Sequence, residues 1–173
     1  MRISAGIYKG RNIKVPSEGT RPTLCKIRQA VFNMLGGDLS GCVFYDVFAG
    51  SGIMGIEALS RGAVTVFNDI KREHMNSIRK NLDLIGAAEG SYEISCRDAI
   101  DLVTVTADKN GIFYFDPPFG EDGLIRRLIS VFEGTRGRLG IFELPVDKKF
   151  VLSYIKKEKR YGSIRIVVED LYE

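Results

Sequence analysis

The chain has 173 residues, 45% of them hydrophobic, which suits one globular domain able to bury roughly 68–70% of its unfolded surface without a disulfide or metal staple. No N-terminal apolar stretch reads as a signal peptide and no apolar run is long enough to span a membrane, so the expectation is a cytoplasmic protein with no membrane partner. The net charge of +3 is unevenly spread: residues 1–28 carry seven basic side chains (Arg2, Lys9, Arg11, Lys14, Arg21, Lys26, Arg28) against Glu18, while the remainder has 18 basic against 21 acidic, an asymmetry that points to a polyanionic partner.

In chain order, "RISAG" and "RNIKV" flank "IYKG" and predict a small N-terminal hairpin. "GTRPT" follows, and Thr23 is placed to cap a helix in which Leu24, Ile27, Val31 and Met34 recur at helical spacing. "GGDLSG" ends that helix. Strands and helices then alternate: strand "CVFYDVF", short helix "MGIEALSRG", strand "AVTVFN", helix 71–85, strand "SYEISC", short helix "AIDLV", strand "GIFYF", a helix carrying Leu124 to Phe132, and strand "RLGIFEL". The tail holds at least one more strand, "SIRIVVEDLY", beside a basic run of Lys148, Lys149, Lys156, Lys157, Lys159 and Arg160 that reads as a charged face. Such alternation predicts an α/β fold with a mainly parallel sheet and helices on both faces. Cys25, Cys42 and Cys96 lack metal or redox spacing and are expected as buried or half-buried reduced thiols. His74, the single histidine, is expected on a helix surface, and no metal site is predicted.

Ligands of an open parallel sheet bind beyond the carboxyl ends of its strands. Four successive ends carry an aspartate: Asp46 before "VFAGSGIMG", Asp69 after Asn68, Asp98 after Arg97, and Asp116 opening "DPPF". Gly50, Gly52 and Gly55 have the spacing of a nucleotide-binding turn, which by itself also describes an NAD site. Asp46 argues against NAD, because a carboxylate repels a pyrophosphate and favours a cationic ligand. Asp69 is placed to hydrogen-bond a ribose and Asp98 an adenine amino group, although either also suits a helix N-cap. A ribose, an adenine and a positive centre describe S-adenosylmethionine better than NAD. "DPPF" itself has a bland alternative, a proline loop with Phe119 in a satellite core.

With these residues assembled, the chain resembles the Rossmann-like S-adenosylmethionine-dependent methyltransferases, and more narrowly the bacterial family that methylates guanine N2 in small-subunit ribosomal RNA. The resemblance rests on "RISAGIYKGRNIKVP", "GTRPT", "DVFAGSGIMGIEALSRGA", "IRKNL", "DPPF" and the closing "YGS…LYE", which run from end to end. It implies a seven-stranded methyltransferase domain over 23–173, an N-terminal β-extension over 1–22, and action on ribosomal RNA or the assembling subunit. Carried over by position, it places Asp46, Phe48, Ala49, Gly50, Ser51, Gly52, Asp69, Asp98 and Ala99 against the cofactor and Asp116, Pro117, Pro118 and Phe119 at the target amine. Arg21 suits either RNA or the cofactor; the cofactor side is taken for Arg21 and Thr23. Cys25 replaces the acid usual after "TRPT", Lys26 stands where an arginine is common, and Asp69-Ile70-Lys71 replaces a frequent Glu-x-Asp.

The aromatic amine of guanine is a poor nucleophile because its lone pair is delocalised. Two acceptors, the Asp116 carboxylate and the Pro117 carbonyl, would turn that lone pair out of the ring, held rigidly by the prolines, while Phe119 stacks on the base. Arg2, Lys9, Arg11, Lys14 and Arg28 are the candidates for RNA phosphates. An adenine-N6 methyltransferase is the alternative enzyme, since Asp-Pro-Pro-aromatic serves either amine. A non-catalytic RNA-binding assembly factor is a further reading, against which the intact Asp116 and glycine loop argue. A monomer is the expected assembly state.

Overall fold

The computed structural model describes residues 1–14, 25–107 and 109–172. Its elements run α1 (Cys25–Leu35), β1 (Val43–Asp46), α2 (Ile53–Ser60), β2 (Val64–Asn68), α3 (Arg72–Leu84), β3 (Tyr92–Ser95), α4 (Ala99–Val105), β4 (Gly111–Phe115), α5 (Asp122–Glu133), β5 (Arg138–Pro145), β6 (Ile155–Tyr161) and β7 (Ile164–Asp170). The seven strands form one sheet in the order β3-β2-β1-β4-β5-β7-β6. β1 to β5 are parallel, and β7 runs antiparallel to both β5 and β6. From β1 the chain winds outward through β2 to β3, then returns to β4 on the other side of β1. The carboxyl ends of β1 and β4 are therefore the switch point at which a crevice opens.

Two apolar layers hold the sheet between helices. Ile27, Val31 and Phe32 of α1, Ile53, Ile56 and Leu59 of α2, and Met75, Ile78 and Leu82 of α3 pack on one face, against Phe44, Phe67 and Tyr114. Val103 of α4 and Ile125, Leu128 and Phe132 of α5 pack on the other, against Phe113, Phe115 and Phe142. There the Phe115 and Phe142 rings stack at 4.4 Å, and Phe132 meets both edge-on. The near-continuous apolar runs of β1, β4 and β5 follow from burial on both faces.

The N-terminal arm is less regular than a hairpin. Among the described residues one antiparallel bridge joins Arg2 to Asn12, supported by Ile3 N–H donating to the Arg11 carbonyl and Ile13 N–H to that of Met1. The arm is pinned to α2: Ile7 N–H donates to the Ser60 carbonyl and Tyr8 N–H to Ser60 Oγ. Thr23 and Arg21 lie outside the described residues, as does the boundary expected near residue 22.

The basic run at 156–160 is the expected charged face, carried by a strand, β6, at the sheet's edge, where every residue but Tyr161 is exposed; three other expectations are corrected. Charged side chains suit an edge strand because they discourage further pairing. Cys25 and Cys96 are exposed and only Cys42 is half-buried. His74 is buried, because α3 turns it under the end of β2. Arg28 is 4% exposed, so its cation faces the interior rather than solvent.

Candidate functional site

A crevice of about 460 Å³ opens over the carboxyl ends of β1, β2 and β4. Asp46, Asp69, Asp98 and Asp116 all line it, with Phe48 to Ser51, Ala99 and Pro117 to Phe119 on its walls. The four strand-end acids singled out by their spacing thus meet in one cavity.

The loop after β1 is shaped by its glycines. Gly52 has φ +79° and opens α2, while a Cβ on Gly55 would lie 2.3 Å from the Phe67 ring, so α2 sits against β2 only because position 55 has no side chain. Gly55 N–H donates to Asp46 Oδ2 at 2.8 Å, and Gly50 N–H to Asp69 Oδ2 at 2.9 Å. The loop is therefore bridled at both ends by strand-end carboxylates. Burial, with Asp116 and Asp69 nearby, pushes the Asp46 carboxyl up to about 7, against the lowering effect of the Gly55 hydrogen bond. Such a group is poised to ionise when a cation arrives beside it.

Asp69 Oδ1 accepts from Lys71 N–H at 2.9 Å, and His74 Nδ1 lies 2.9 Å from Asp69 Oδ2. This fixes the acid's orientation toward the crevice, which His74 also borders. Asp98 is the N-cap of α4, its Oδ1 accepting from Ile100 N–H at 2.8 Å and Asp101 N–H at 3.4 Å. The capping alternative for Asp98 therefore holds, in a residue that still faces the cavity. Past β4, Asp116 is half-buried, Pro117 is buried, and Phe119 stands 56% exposed at the mouth. That exposure excludes Phe119 from any satellite core.

Several residues of the site escape sequence reading. Asn68 ties three strand ends together: Nδ2 donates to the Val47 and Arg97 carbonyls and Oδ1 accepts from Arg97 N–H, each at 3.1 Å. Asn81, fully buried on α3, donates to the Ser51 carbonyl at 3.2 Å and the Lys14 carbonyl at 2.7 Å, while accepting from Lys14 N–H at 2.8 Å. Tyr114 lines the crevice floor and its hydroxyl donates to Glu143 on β5. Burial and the neighbouring carboxylates of Glu143 and Asp116 push the phenol well above its ordinary range. The signal for Asn68 and Asn81 is a polar residue interrupting an apolar stripe, which no spacing rule assigns to a partner.

Of the RNA candidates, Arg2, Lys9, Arg11 and Lys14 are exposed on the N-terminal arm. Arg11 also donates to the Ile85 carbonyl and lies over the Tyr8 ring. Arg28 is corrected: its Nε sits 3.0 Å from Glu57 Oε1 and its Nη2 donates to the Arg2 carbonyl. Glu57 is completely buried, also pairs with Arg61, and accepts from Ser4 N–H and Oγ. A buried carboxylate needs these partners, so Arg28 is committed to structure.

Comparison with known proteins agrees with this geometry. The profile of the family described as "Conserved hypothetical protein 95" matches residues 1–166. The chain belongs to this family. It is similar to "Ribosomal RNA small subunit methyltransferase D" of Escherichia coli (strain K12), 33% identical over 135 residues that cover 77% of this chain and 67% of the relative. Among solved structures it is similar to "Putative methyltransferase yhhF from Escherichia coli", with a TM-score of 0.83, 25% identity and 99% and 98% of the two chains covered. An RNA methyltransferase from Salinibacter ruber, solved in complex with S-adenosyl-L-homocysteine, shares the fold at a TM-score of 0.68 and 16% identity, over 88% of this chain and 95% of that one. Family membership and the Rossmann-like fold thus stand, with the seven strands and two helical layers expected. Among the described residues no helix is long and apolar enough to cross a membrane, and no group of acids, histidines and cysteines is arranged to hold a metal ion.

Proposed function

We propose that this chain transfers the methyl group of S-adenosylmethionine to the exocyclic N2 amine of a guanine in small-subunit ribosomal RNA, in the cytoplasm, on the RNA or the assembling subunit. The observation that carries the reading is the single crevice in which Asp46, Asp69 and Asp98 face Asp116-Pro117-Pro118-Phe119. The name of the Escherichia coli relative supports the ribosomal RNA substrate and the methyl-transfer chemistry. Guanine N2 rests on the motifs that run along the chain.

The residues present fit a cationic nucleoside cofactor. The cavity is within the usual size range for such ligands, its walls bring bare backbone from a glycine loop, and its buried Asp46 is a carboxylate awaiting a cation. S-adenosylmethionine supplies a methyl carbon made electrophilic by its sulfonium. Asp46 and the backbone of 48–52 hold the cationic end, the His74-oriented Asp69 takes the ribose hydroxyls, and the Asp98–Ala99 turn meets the adenine. Asp116 and the Pro117 carbonyl accept the two N–H bonds of the target amine, leaving its lone pair aimed into the crevice. Pro117 and Pro118 keep those acceptors in place, so little ordering entropy is lost on binding. Phe119 stacks on the extruded base, and the newly methylated amine nitrogen loses one proton to solvent after transfer. A monomer is the assembly state that goes with this reading.

The test is radiolabelled methyl transfer to unmodified small subunits, assembly intermediates and naked RNA, with the product nucleoside identified by mass spectrometry. N2-methylguanosine is expected. N6-methyladenosine would transfer the reading to adenine, and no transfer to any RNA would reject it. Asp116→Ala should abolish transfer while calorimetry shows S-adenosylhomocysteine binding unchanged.

A further inference from the structure

The outward side of α1 forms a second concavity that shares no lining residue with the crevice. Its buried stripe packs on the sheet, while Lys26, Gln29, Ala30 and Asn33 recur at three- and four-residue spacing along another stripe. With Lys159 and Tyr161 of β6 these residues line a groove of about 300 Å³. Two ammonium groups, two carboxamides and a phenol face it, and among the described residues no carboxylate does.

The absence of acid has a geometric cause. α1 contains no acidic residue, and alternation along β6 sends Lys157, Lys159 and Tyr161 to the α1 side of the sheet. Glu158, the strand's one acid, points to the opposite face, where it lies 3.6 Å from Arg165. Lys157 donates to the Met34 carbonyl at 3.3 Å, in the last turn of α1, and so ties β6 to that helix. Lys26 and Lys159 carry no ion pair of this kind among the described residues.

Strand register relates this groove to the target-amine motif. Lys159 pairs with Ile166, and Ile166 with Glu143. Phe115 pairs with Phe142, so Asp116, one residue further, stands level with Glu143. Asp116, Glu143, Ile166 and Lys159 thus form one row across the sheet, and three strand spacings separate its ends, about 14 Å.

We propose that this groove binds the phosphodiester backbone of the RNA strand bearing the target base, a short way along from that base; the proposal rests on the methyltransferase reading above. A strand that inserts a base among four carboxylates needs cationic ground beside the crevice. The groove offers it, on the row occupied by Asp116. Ammonium and amide donors bind phosphate oxygens without reading sequence, so the groove sets position and affinity.

The test uses the full chain and a short labelled single-stranded RNA, with fluorescence anisotropy over a salt series. Each neutralised phosphate contributes about −0.7 to the slope of log K against log salt, so Lys26→Gln/Lys159→Gln should flatten that slope by about 1.4. Lys109→Gln, at the amino edge of the sheet, should leave it unchanged. Both lysines are exposed, and a common melting temperature with the parent protein verifies the fold of the double variant. An unchanged slope in the double variant overturns the groove proposal while leaving the enzyme reading intact. An unchanged slope coupled with lost binding to ribosomal particles would assign the groove to a protein partner, and equally overturns it. Failure of the parent protein to bind any RNA, or S-adenosylhomocysteine in parallel calorimetry, would instead sink the underlying reading.

Discussion

Asn81 clasps Lys14 by both backbone polar groups, the Lys14 N–H at 2.8 Å and its carbonyl at 2.7 Å, in the manner of a neighbouring strand. The same carboxamide reaches the Ser51 carbonyl in the glycine loop. The N-terminal arm, whose Ile3, Tyr8 and Ile13 pack into the core, and the glycine loop proposed to meet the cofactor therefore share one side chain. Asn81→Leu keeps the volume but orphans these groups, each buried one costing about 1–3 kcal/mol. Calorimetry should show weakened S-adenosylhomocysteine binding, and limited proteolysis earlier cleavage near Lys14. Unchanged binding would mean that Ser51 is held by other means.

Arg28 and Glu57 provide a test of structure against recognition. Removing one partner of a buried ion pair costs roughly 3–5 kcal/mol, so Arg28→Ala should lower the melting temperature by about 10 °C in a chain of this length. Its salt dependence of RNA binding, measured well below the melting point, should match the parent protein. A flatter slope with unchanged stability would restore Arg28 to the RNA surface.

Asp46 makes stability depend on pH. Its carboxyl titrates near 7 in the fold and near 4 when unfolded. The folded state therefore holds a proton that the unfolded chain has released, and this contribution, full below about pH 4, is lost as pH rises toward 7. Glu169, pushed to about 7 mainly by burial, adds to the same trend. Asp46→Asn should flatten part of the decline seen in denaturant titrations across that window, retaining the bond from Gly55. A variant as pH-sensitive as its parent would show that Asp46 ionises normally.

The same ionisation bears on the ligand. S-adenosylmethionine is a cation at sulfur and S-adenosylhomocysteine is not, so affinity for the first should rise more steeply between about pH 6 and 8. Calorimetry on both ligands checks this, and Asp46→Asn should bring the two curves together. Parallel curves in the parent protein would place the sulfonium away from Asp46.

Phe119→Ala removes an exposed ring at the mouth of the crevice and nothing from its floor. Base stacking on such a ring is worth roughly 1–3 kcal/mol, so KM for RNA should rise between about 5- and 150-fold. S-adenosylhomocysteine affinity should stay the same. A collapse of both would give Phe119 a structural duty.

How far the chain can be read without coordinates depends on where a residue's partners lie. β1, β2 and β4 are legible as short apolar runs, and the acids at their ends as punctuation, because strand and crevice follow from local order. Asp98 is legible in both senses, cap and crevice residue, since its capping partners are two and three positions away. Arg28 is opaque because nothing in its charge reveals that Glu57, far along the chain, waits beneath it. His74 is opaque for a similar reason: its amphipathic helix suggests an outer face, but the end of β2 supplies Asp69 on the inner one. β6 hides its strand character because both of its faces are wet, so no apolar alternation survives.

That last strand also governs what the molecule does in a crowd. A sheet edge exposes unpaired N–H and carbonyl groups to which any extended chain can attach. One edge of this sheet is β3, only four residues long; the other is the seven-residue β6, long enough to template growth. Lys156, Lys157, Lys159 and Arg160 stud that longer edge, so two copies approaching along it meet cation against cation. Their mutual repulsion, reduced where Lys156 meets Asp170 and Arg160 meets Glu158, opposes edge-to-edge pairing of two copies and weakens as salt rises.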